Sequence, residues 1–466
     1  MPPTFSLATS PFIYGVGGVE NSMDATPFFH GGVWHLFHMQ TRPRGIAHRV
    51  SRDLVNWEIR PMAIPGDAAT GGVVEHQGQF YFFYTLNQTV HLATSDNLND
   101  WTPSQRNPVA TVDGKHYVGS NFRDPFVFYN EEESCWWMLV AAEVSGPARF
   151  RAGCVGLYKS SNLLDWQAAE PLWAPGLGPR HECPQVIRHQ GRWYLFDIER
   201  QDQYRVAKSL AGPWMRPPSP YLGPHTVLCG TRLGSDGKRW ISFPFLCAQR
   251  GNEDFGEVVQ AEVYPIPRQL DFHADGSVTE RPVVELIDAL HALPPIRPLA
   301  KVAALSGQWD FQSDGTRARS LASSGTLLLK DLPANLYLEA EVTLPKANME
   351  ASVLLRVDAG LTRGYKLTLQ PADGLVTLRP FSYWDRDRLL VVQHAELPTK
   401  RPIRVRIFLS GTVVEAFIDD RVVLSSRLYK HLDGAVALDV MDGAALFDHI
   451  LARPLAGDHL PADTVR

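Results

Sequence analysis

The sequence has no long hydrophobic run, few cysteines and no excess of basic residues. No apolar stretch approaches the roughly 20 residues of a membrane-spanning helix, so we expect no membrane partner. The five cysteines are an odd number without a Cys-x-x-Cys pair, which disfavours a disulfide framework and a zinc site. The net charge of −5 gives no basic footprint, so nucleic acid is not an expected partner.

The N-terminus also lacks the features of an export signal. Residues 1–14 contain neither a basic segment nor an apolar core of about 7–15 residues. With the odd cysteine count, this predicts a cytoplasmic protein, or a secreted one if a leader precedes the given sequence. A length of 466 residues exceeds one ordinary core, so we expect two domains.

A short aromatic strand that follows a turn recurs through the first part of the chain. Copies begin roughly every 45–57 residues, which is the spacing of propeller blades. The five copies cover residues 32–37, 78–83, 135–140, 191–196 and, in a weaker form, 237–243.

A second repeat, Ser-x-Asp/Asn-Leu-x-x-Trp, lies between copies of the first. It covers residues 51–57, 95–101 and 160–166, with a degenerate copy at 209–214. The polar pair suits a tight turn, and the Leu and Trp can pack between neighbouring blades. Two repeats in phase, with almost no helical periodicity, predict an all-β chain with a five-bladed β-propeller. A generic β-sandwich with chance aromatic strands is the alternative.

The composition changes near residue 294, where a proline-rich segment begins. We predict a propeller over residues 1–293, a linker over 294–303 and a C-terminal β-sandwich over 304–466. Segments beyond the linker, such as 404–409 and 412–418, alternate polar and apolar residues at period two.

Three acidic residues begin inner strands of different predicted blades: Asp24, Asp124 and Glu182. Equivalent strands of a propeller face one axial funnel, so the three carboxylates are expected to meet there. Retaining glycoside hydrolysis needs a nucleophilic carboxylate and a proton-donating carboxyl group about 5–5.5 Å apart. We predict that Asp24 is the nucleophile, with a pKa kept low by hydrogen bonds, that Glu182 is the general acid, and that Asp124 holds two sugar hydroxyls. Taken singly, each residue could be a turn cap.

Several motifs resemble those of glycoside hydrolase family 32, which contains invertases, inulinases and levanases. They are Phe122-Arg123-Asp124-Pro125, Glu182-Cys183-Pro184, the turn at 51–57 and Thr70-Gly71-Gly72. The resemblance covers nearly the whole chain. It implies a propeller followed by a β-sandwich and a retaining mechanism on β-fructofuranosides, without a metal or other cofactor.

The first motif departs from the family. The family has Trp-x-Asn-Asp-Pro-Asn-Gly, and this chain has residues 21–27 as Asn-Ser-Met-Asp-Ala-Thr-Pro. The aspartate is kept, but the neighbours that shape the sugar pocket are not. A pentofuranose or modified substrate of a related clan member therefore remains open.

Four further residues are predicted to bind the substrate: Arg123, Gln40, Trp34 and His48. A packing or surface role is the alternative for the last three. The predicted function is a retaining glycosidase that cleaves sucrose, fructo-oligosaccharides or fructan by double displacement. The alternatives are a fructosyltransferase, a related furanosidase, or a silent propeller that only binds carbohydrate. The expected partner is a carbohydrate, and the oligomeric state is left open.

Overall fold

The computed structural model describes residues 23–41, 43–146, 148–199, 201–223, 228–312, 316–382 and 388–455. Within these ranges the chain forms five sheets arranged as propeller blades, followed by two seven-stranded sheets. This confirms the predicted five-bladed propeller and C-terminal sandwich. In the same ranges no helix has the length and hydrophobicity needed to cross a membrane.

The first three blades are regular four-stranded antiparallel sheets. Blade one contains β1 (Met23–His30), β2 (Val33–Thr41), β3 (Arg44–Ser51) and β4 (Glu58–Pro65). Blade two contains β5 (Ala69–His76), β6 (Gln79–Leu86), β7 (Thr89–Ser95) and β8 (Thr102–Pro103). Blade three contains β9 (Val118–Asn130), β10 (Cys135–Glu143), β11 (Gly153–Ser160) and β12 (Gln167–Trp173), with a 3₁₀ turn at Arg149–Arg151.

The last two blades are less regular. Blade four contains β13 (Glu182–His189), β14 (Arg192–Ile198) and β15 (Asp202–Ala207), and isolated bridges replace its fourth strand. Blade five contains β16 (Leu228–Ser235), β17 (Trp240–Gln249), β18 (Val258–Val263), β19 (Arg268–Phe272) and β20 (Val278–Pro282), with a 3₁₀ turn at Arg250–Asn252. Helix α1 (Val284–Ala292) and a 3₁₀ turn at Pro298–Ala300 lead into the second domain.

The first strand of the sandwich begins at Val302, two residues before the predicted start of the sandwich at residue 304. Its strands are β21 (Val302–Ser306), β22 (Trp309–Phe311), β23 (Ala318–Ser320), β24 (Gly325–Leu329), β25 (Leu336–Thr343), β26 (Glu350–Val357), β27 (Arg363–Gln370), β28 (Leu375–Ser382), β29 (Val391–His394), β30 (Ile403–Ser410), β31 (Val413–Ile418), β32 (Val422–Arg427), β33 (Ala435–Met441) and β34 (Leu446–Pro454). One sheet has the order β21-β24-β33-β26-β27-β28-β29 and the other β22-β23-β34-β25-β30-β31-β32.

The recurring aromatic stretches form the second strand of each blade: β2, β6, β10, β14 and β17. These strands are largely buried because each blade is covered by a neighbour on both faces. In β10, every residue from Trp136 to Glu143 is buried. The spacing of the aromatic repeat therefore reflects one packed strand per blade.

The Ser-x-Asp/Asn-Leu-x-x-Trp repeat forms the turn between the third and fourth strands of blades one to three. In blade two, Asn97 Oδ1 accepts hydrogen bonds from two backbone N–H groups at 2.9 Å, and Leu98 has a left-handed φ of 63°. Trp101 Nε1 donates to the Leu98 carbonyl at 3.1 Å. The Trp101 ring packs edge-on against Phe37 of blade one, so the turn joins neighbouring blades.

The inner strands approach closely around the axis. Thr26 Oγ1 of blade one donates to the carbonyl of Gly71 in blade two at 2.9 Å. A Cβ atom at Gly71 would lie 2.1 Å from the Phe83 carbonyl oxygen and 2.6 Å from Pro125 of blade three. Only glycine fits at this position, which holds three inner strands together.

The two domains share buried contacts. Side chains of helix α1 pack in one apolar cluster with aromatic residues of both domains, including Phe243 and Phe408. Arg268 of blade five is fully buried and pairs with Glu280 at 3.3 Å and with Glu415 of the sandwich at 2.5 Å. A buried cation between two anions fixes the propeller and the sandwich in one arrangement.

Candidate active site

The first strand of every blade is interrupted by a β-bulge at the same end, where its pairing with the second strand slips. Four bulges contain a left-handed residue: Asp24 (φ 43°), Asp124 (φ 59°), Cys183 (φ 50°) and Gly230 (φ 68°). A bulge redirects side chains, and aspartate tolerates this backbone region better than most residues. The repeated bulges therefore direct polar side chains from several blades toward one end of the axis.

Asp24 lies in the bulge of blade one, and the charged side chains that act on it come from other blades. Burial raises its pKa from 3.8 to about 7, and the negative charges of Asp124 and Glu182 act in the same direction. The cations of Arg232 and Arg123 offset this rise only in part. The predicted low pKa of Asp24 is therefore wrong, because loss of hydration outweighs the favourable charges.

Asp124 is 6% exposed and is held by contacts from three other blades. Its Oδ2 accepts a hydrogen bond from the Cys183 N–H at 3.0 Å, and its own N–H donates to Thr85 Oγ1 at 3.0 Å. The Asp124 carbonyl accepts from Arg232 Nη2 at 3.3 Å. Arg123 Nε lies 3.8 Å from Oδ2. An N–H donor and a nearby cation both stabilise negative charge on this carboxylate.

The Glu182 side chain is 27% exposed, against 9% for that of Asp124. Its Oε1 accepts a hydrogen bond from Arg123 Nη2 and lies 3.2 Å from Arg180 Nη1. The Arg180 side chain is 57% exposed. Glu182 is therefore a solvent-accessible carboxylate between two guanidinium groups.

The three acidic residues do not occupy the same place in their bulges. Asp24 and Asp124 are themselves the left-handed residues, whereas Glu182 directly precedes the left-handed Cys183. The equivalence expected from the sequence therefore holds for the two aspartates. The glutamate is displaced by one residue and carries a side chain that is one methylene longer.

Sequence reasoning missed Arg232, which lies in the inner strand of blade five and is 3% exposed. Its Nη1 donates to the Pro184 carbonyl at 3.0 Å and its Nη2 to the Asp124 carbonyl at 3.3 Å. It thereby joins blades three, four and five beside Asp24. A search for an ionisable residue in the inner strand of every blade would have found it.

Gln88 of blade two was also missed. Its side-chain carbonyl accepts hydrogen bonds from the Phe122 N–H and from Arg123 Nη1, both at 3.2 Å. Gln88 thus fixes the guanidinium that contacts Glu182. The residue stands in a hairpin turn, where no sequence pattern distinguishes it.

The four predicted substrate-binding residues have different surroundings. Arg123 lies between Asp124 and Glu182, and Gln40 is half-buried at the end of β2 beside the Asp24 bulge. Trp34 is 2% exposed and packs against Phe243 of blade five. His48 is fully buried and stacks on Phe37. The structure does not bring Trp34 and His48 to the site, because both lie in packing between strands and blades.

An axial site that combines two aspartates and a glutamate from three blades has the acidic groups that glycosidases use. Among the described residues, no group of three or more His, Cys, Asp and Glu side chains is placed to hold a metal ion. Fold and site together define the class of the protein as a carbohydrate-active propeller enzyme.

Comparison with known proteins narrows this class. Residues 24–213 match the glycosyl hydrolases family 32 N-terminal domain. The chain is 25% identical to a sucrose-6-phosphate hydrolase of Zymomonas mobilis over 90% of this chain and 87% of the relative. It is 29% identical to a levanbiose-producing levanase of Bacillus subtilis over 93% and 88% of the two chains. The structure superposes on fructan 1-exohydrolase IIa of Cichorium intybus with a TM-score of 0.69, 15% identity and coverage of 95% and 98%.

Residues 24–213 therefore resemble the N-terminal domain of glycoside hydrolase family 32, and the protein is a glycosidase. The resemblance identified from the motifs is thereby confirmed.

Proposed function

We propose that this glycosidase is a retaining β-fructofuranosidase that hydrolyses sucrose or fructo-oligosaccharides. The observation that carries the proposal is the convergence of Asp24, Asp124 and Glu182, from three different blades, in one charged site. The curated relatives named sucrose-6-phosphate hydrolase, raffinose invertase and levanase support a terminal fructofuranosyl unit as the recognised group.

In this mechanism Asp24 attacks the anomeric carbon and forms a covalent fructosyl–enzyme intermediate. Burial makes the ionised form of Asp24 costly, as its raised pKa shows. Positive charge develops on the sugar ring in the transition state and offsets this cost. The interaction is therefore stronger in the transition state than in the ground state, which is the requirement for rate acceleration.

Glu182 protonates the leaving oxygen and later removes a proton from the attacking water. Its exposure allows proton exchange with solvent, and its position between Arg123 and Arg180 places it at the edge of the site. In the second step its carboxylate, in contact with both guanidinium groups, acts as the base. Protonation for the first step must weaken both ion pairs.

Asp124 holds two adjacent hydroxyl groups of the fructosyl ring. Its carboxylate is fixed by the Cys183 N–H and has Arg123 beside it, so it remains an acceptor throughout the reaction. Such hydrogen bonds strengthen as the ring flattens toward the oxocarbenium-like transition state.

The test is product analysis with the purified full chain on sucrose, 1-kestose and levan. Proton NMR during the first turnovers should show β-fructofuranose before mutarotation, because two displacements retain configuration. Asp24→Asn and Glu182→Gln should each lower kcat on sucrose by at least about 100-fold. The exposed Asp67 gives a matched control, and Asp67→Asn should keep the wild-type rate.

Azide distinguishes the two catalytic roles. With Glu182→Gln and an activated aryl β-fructofuranoside, added azide should restore turnover and release β-fructosyl azide, because azide needs no base. Asp24→Asn should not be rescued in this way. First-formed product with inverted configuration, or absence of fructose release from every substrate, would refute the proposal.

A further inference from the structure

His181 directly precedes Glu182, but its imidazole is fully buried. Its Nδ1 lies 2.5 Å from Oδ2 of Asp197, and both side chains are 0% exposed. Asp197 lies on β14, where the next residue, Ile198, pairs with Glu182. The His181–Asp197 pair therefore ties the start of β13 to the neighbouring strand at the position of the proposed acid.

The pair is itself held by further side chains. Gln203 Nε2, on β15, donates to the same Asp197 oxygen at 3.1 Å, and Arg205 Nη2 donates to Gln203 Oε1 at 3.2 Å. The His181 ring packs edge-on against Trp173 at the end of β12, with centroids 4.9 Å apart. Contacts from β12, β14 and β15 thus fix the residue before Glu182.

The blade architecture does not require this polar pair. In blade three the residue two places before the left-handed Asp124 is Phe122, which is fully buried and apolar. His181 stands two places before the left-handed Cys183 in blade four. Burying a carboxylate costs more than burying an apolar side chain of similar volume. The ionisable pair in blade four therefore has a role beyond packing, since phenylalanine fills the equivalent position in blade three.

A residue that donates a proton needs a support that does not depend on its own charge. A general acid changes its charge during each cycle, so its ion pairs strengthen and weaken with every proton transfer. The contacts of Glu182 with Arg123 and Arg180 are of this kind. A contact to the backbone segment that carries Glu182 does not depend on the charge of Glu182, and the buried His181–Asp197 pair supplies one.

We infer that His181 and Asp197 are positioning residues that hold Glu182 at the leaving oxygen in both of its protonation states. The inference rests on the proposed role of Glu182 as general acid. It predicts a specific kinetic signature, because a misplaced acid matters only where the leaving group needs a proton.

The experiment compares sucrose, whose leaving group needs protonation, with an activated aryl β-fructofuranoside, whose leaving group needs little. His181→Leu should lower kcat on sucrose about 10-fold or more, with KM within about two-fold, and should change kcat on the aryl substrate by less than about three-fold when azide is present to replace the base step. His181→Asn places an amide N–H near the position of Nδ1 and should recover most of the sucrose activity.

Two further variants keep the test decisive. Asp197→Asn keeps the volume of the side chain and one hydrogen-bond acceptor, so this variant should fold even if His181→Leu does not. It should show the same substrate dependence, with a smaller loss of kcat on sucrose. His189→Leu alters the histidine at the far end of β13, which stacks on Phe272 away from the bulge, and should behave as wild type on both substrates.

Glu182→Gln measured on the same two substrates separates this inference from the proposed function, with azide added to the aryl substrate so that the second step needs no base. Suppose that Glu182→Gln keeps its rate on the aryl substrate. If His181→Leu and Asp197→Asn then lower the rates on both substrates equally, or lower neither, the positioning role is refuted and the proposed function stands. If Glu182→Gln lowers both rates equally, Glu182 is not the acid and both proposals fail. A selective loss on sucrose in all three variants supports the inference.

Discussion

Replacing Asp24 by asparagine should stabilise the folded protein at neutral and alkaline pH while abolishing activity. Burial and neighbouring negative charge raise the pKa of Asp24 from 3.8 to about 7. At about 1.4 kcal/mol per unit, ionising this group costs the folded state at most about 4 kcal/mol, and about 2–4 kcal/mol after relaxation of neighbouring cations. Asparagine keeps the shape of the side chain and removes this cost.

The pH dependence follows from the direction of the shift. Below 3.8 the carboxyl group is protonated in the folded and unfolded states, so the charge penalty is absent. Between 3.8 and about 7 the unfolded chain releases the proton while the folded protein keeps it, so the wild type loses stability as the pH rises. Above about 7 the full penalty is present, and the advantage of Asp24→Asn is largest.

Thermal unfolding of both proteins at about pH 5 and about pH 8 measures this difference. For a chain of 466 residues, 2–4 kcal/mol corresponds to a rise in Tm of roughly 2–4 °C. The advantage of Asp24→Asn should be larger at the higher pH, and Asp67→Asn, which removes an exposed carboxylate, should show no such trend. Equal Tm differences at the two pH values would refute the argument that Asp24 is a poorly solvated carboxylate.

Four further outcomes are expected. In a pH–rate profile with an activated aryl β-fructofuranoside, whose leaving group needs little protonation by Glu182, kcat/KM should rise as the pH increases through about 7, because Asp24 must lose its proton to act as nucleophile, and an acid limb near pH 4 would contradict this. Arg268→Met leaves two buried carboxylates without their cation and should cost about 3–5 kcal/mol in chemical denaturation, whereas Arg281→Met at a partly exposed pair should cost less than about 1 kcal/mol. Asn97→Ala removes two backbone hydrogen bonds of a blade turn and should lower stability by about 1–2 kcal/mol, with kcat unchanged. Asp124→Asn should lower kcat on sucrose at least about 100-fold with a normal circular dichroism spectrum, and near-normal turnover would remove its assigned role.

The propeller could be predicted from local sequence because its repeats serve local structure. Each aromatic stretch forms one buried second strand, and each Ser-x-Asp/Asn-Leu-x-x-Trp segment closes a turn through bonds between residues two or three apart. Such short-range contacts leave a periodic trace in the sequence. The start of the first sandwich strand at Val302 has no such local signal.

Trp34 and His48 show where residue type alone misleads. Aromatic side chains suit both sugar stacking and packing between blades, and the sequence does not state which neighbour covers them. In the structure Trp34 contacts Phe243, more than 200 residues away in the chain, and His48 stacks on Phe37 within its own blade. Packing against blade five covers Trp34 and packing within blade one covers His48, so neither side chain lines the funnel.

Periodicity and short motifs were enough to predict the number of blades, the second domain and the three acidic residues. The different surroundings of the three acidic residues became visible only in the folded structure. Asp24 is desolvated among charges from other blades, Asp124 is bound by the Cys183 N–H, and Glu182 meets two arginines. Arg232 enters the site from the fifth blade. The hydration of a carboxylate and the charges around it depend on which residues surround it in the closed propeller. They therefore leave no pattern along the chain.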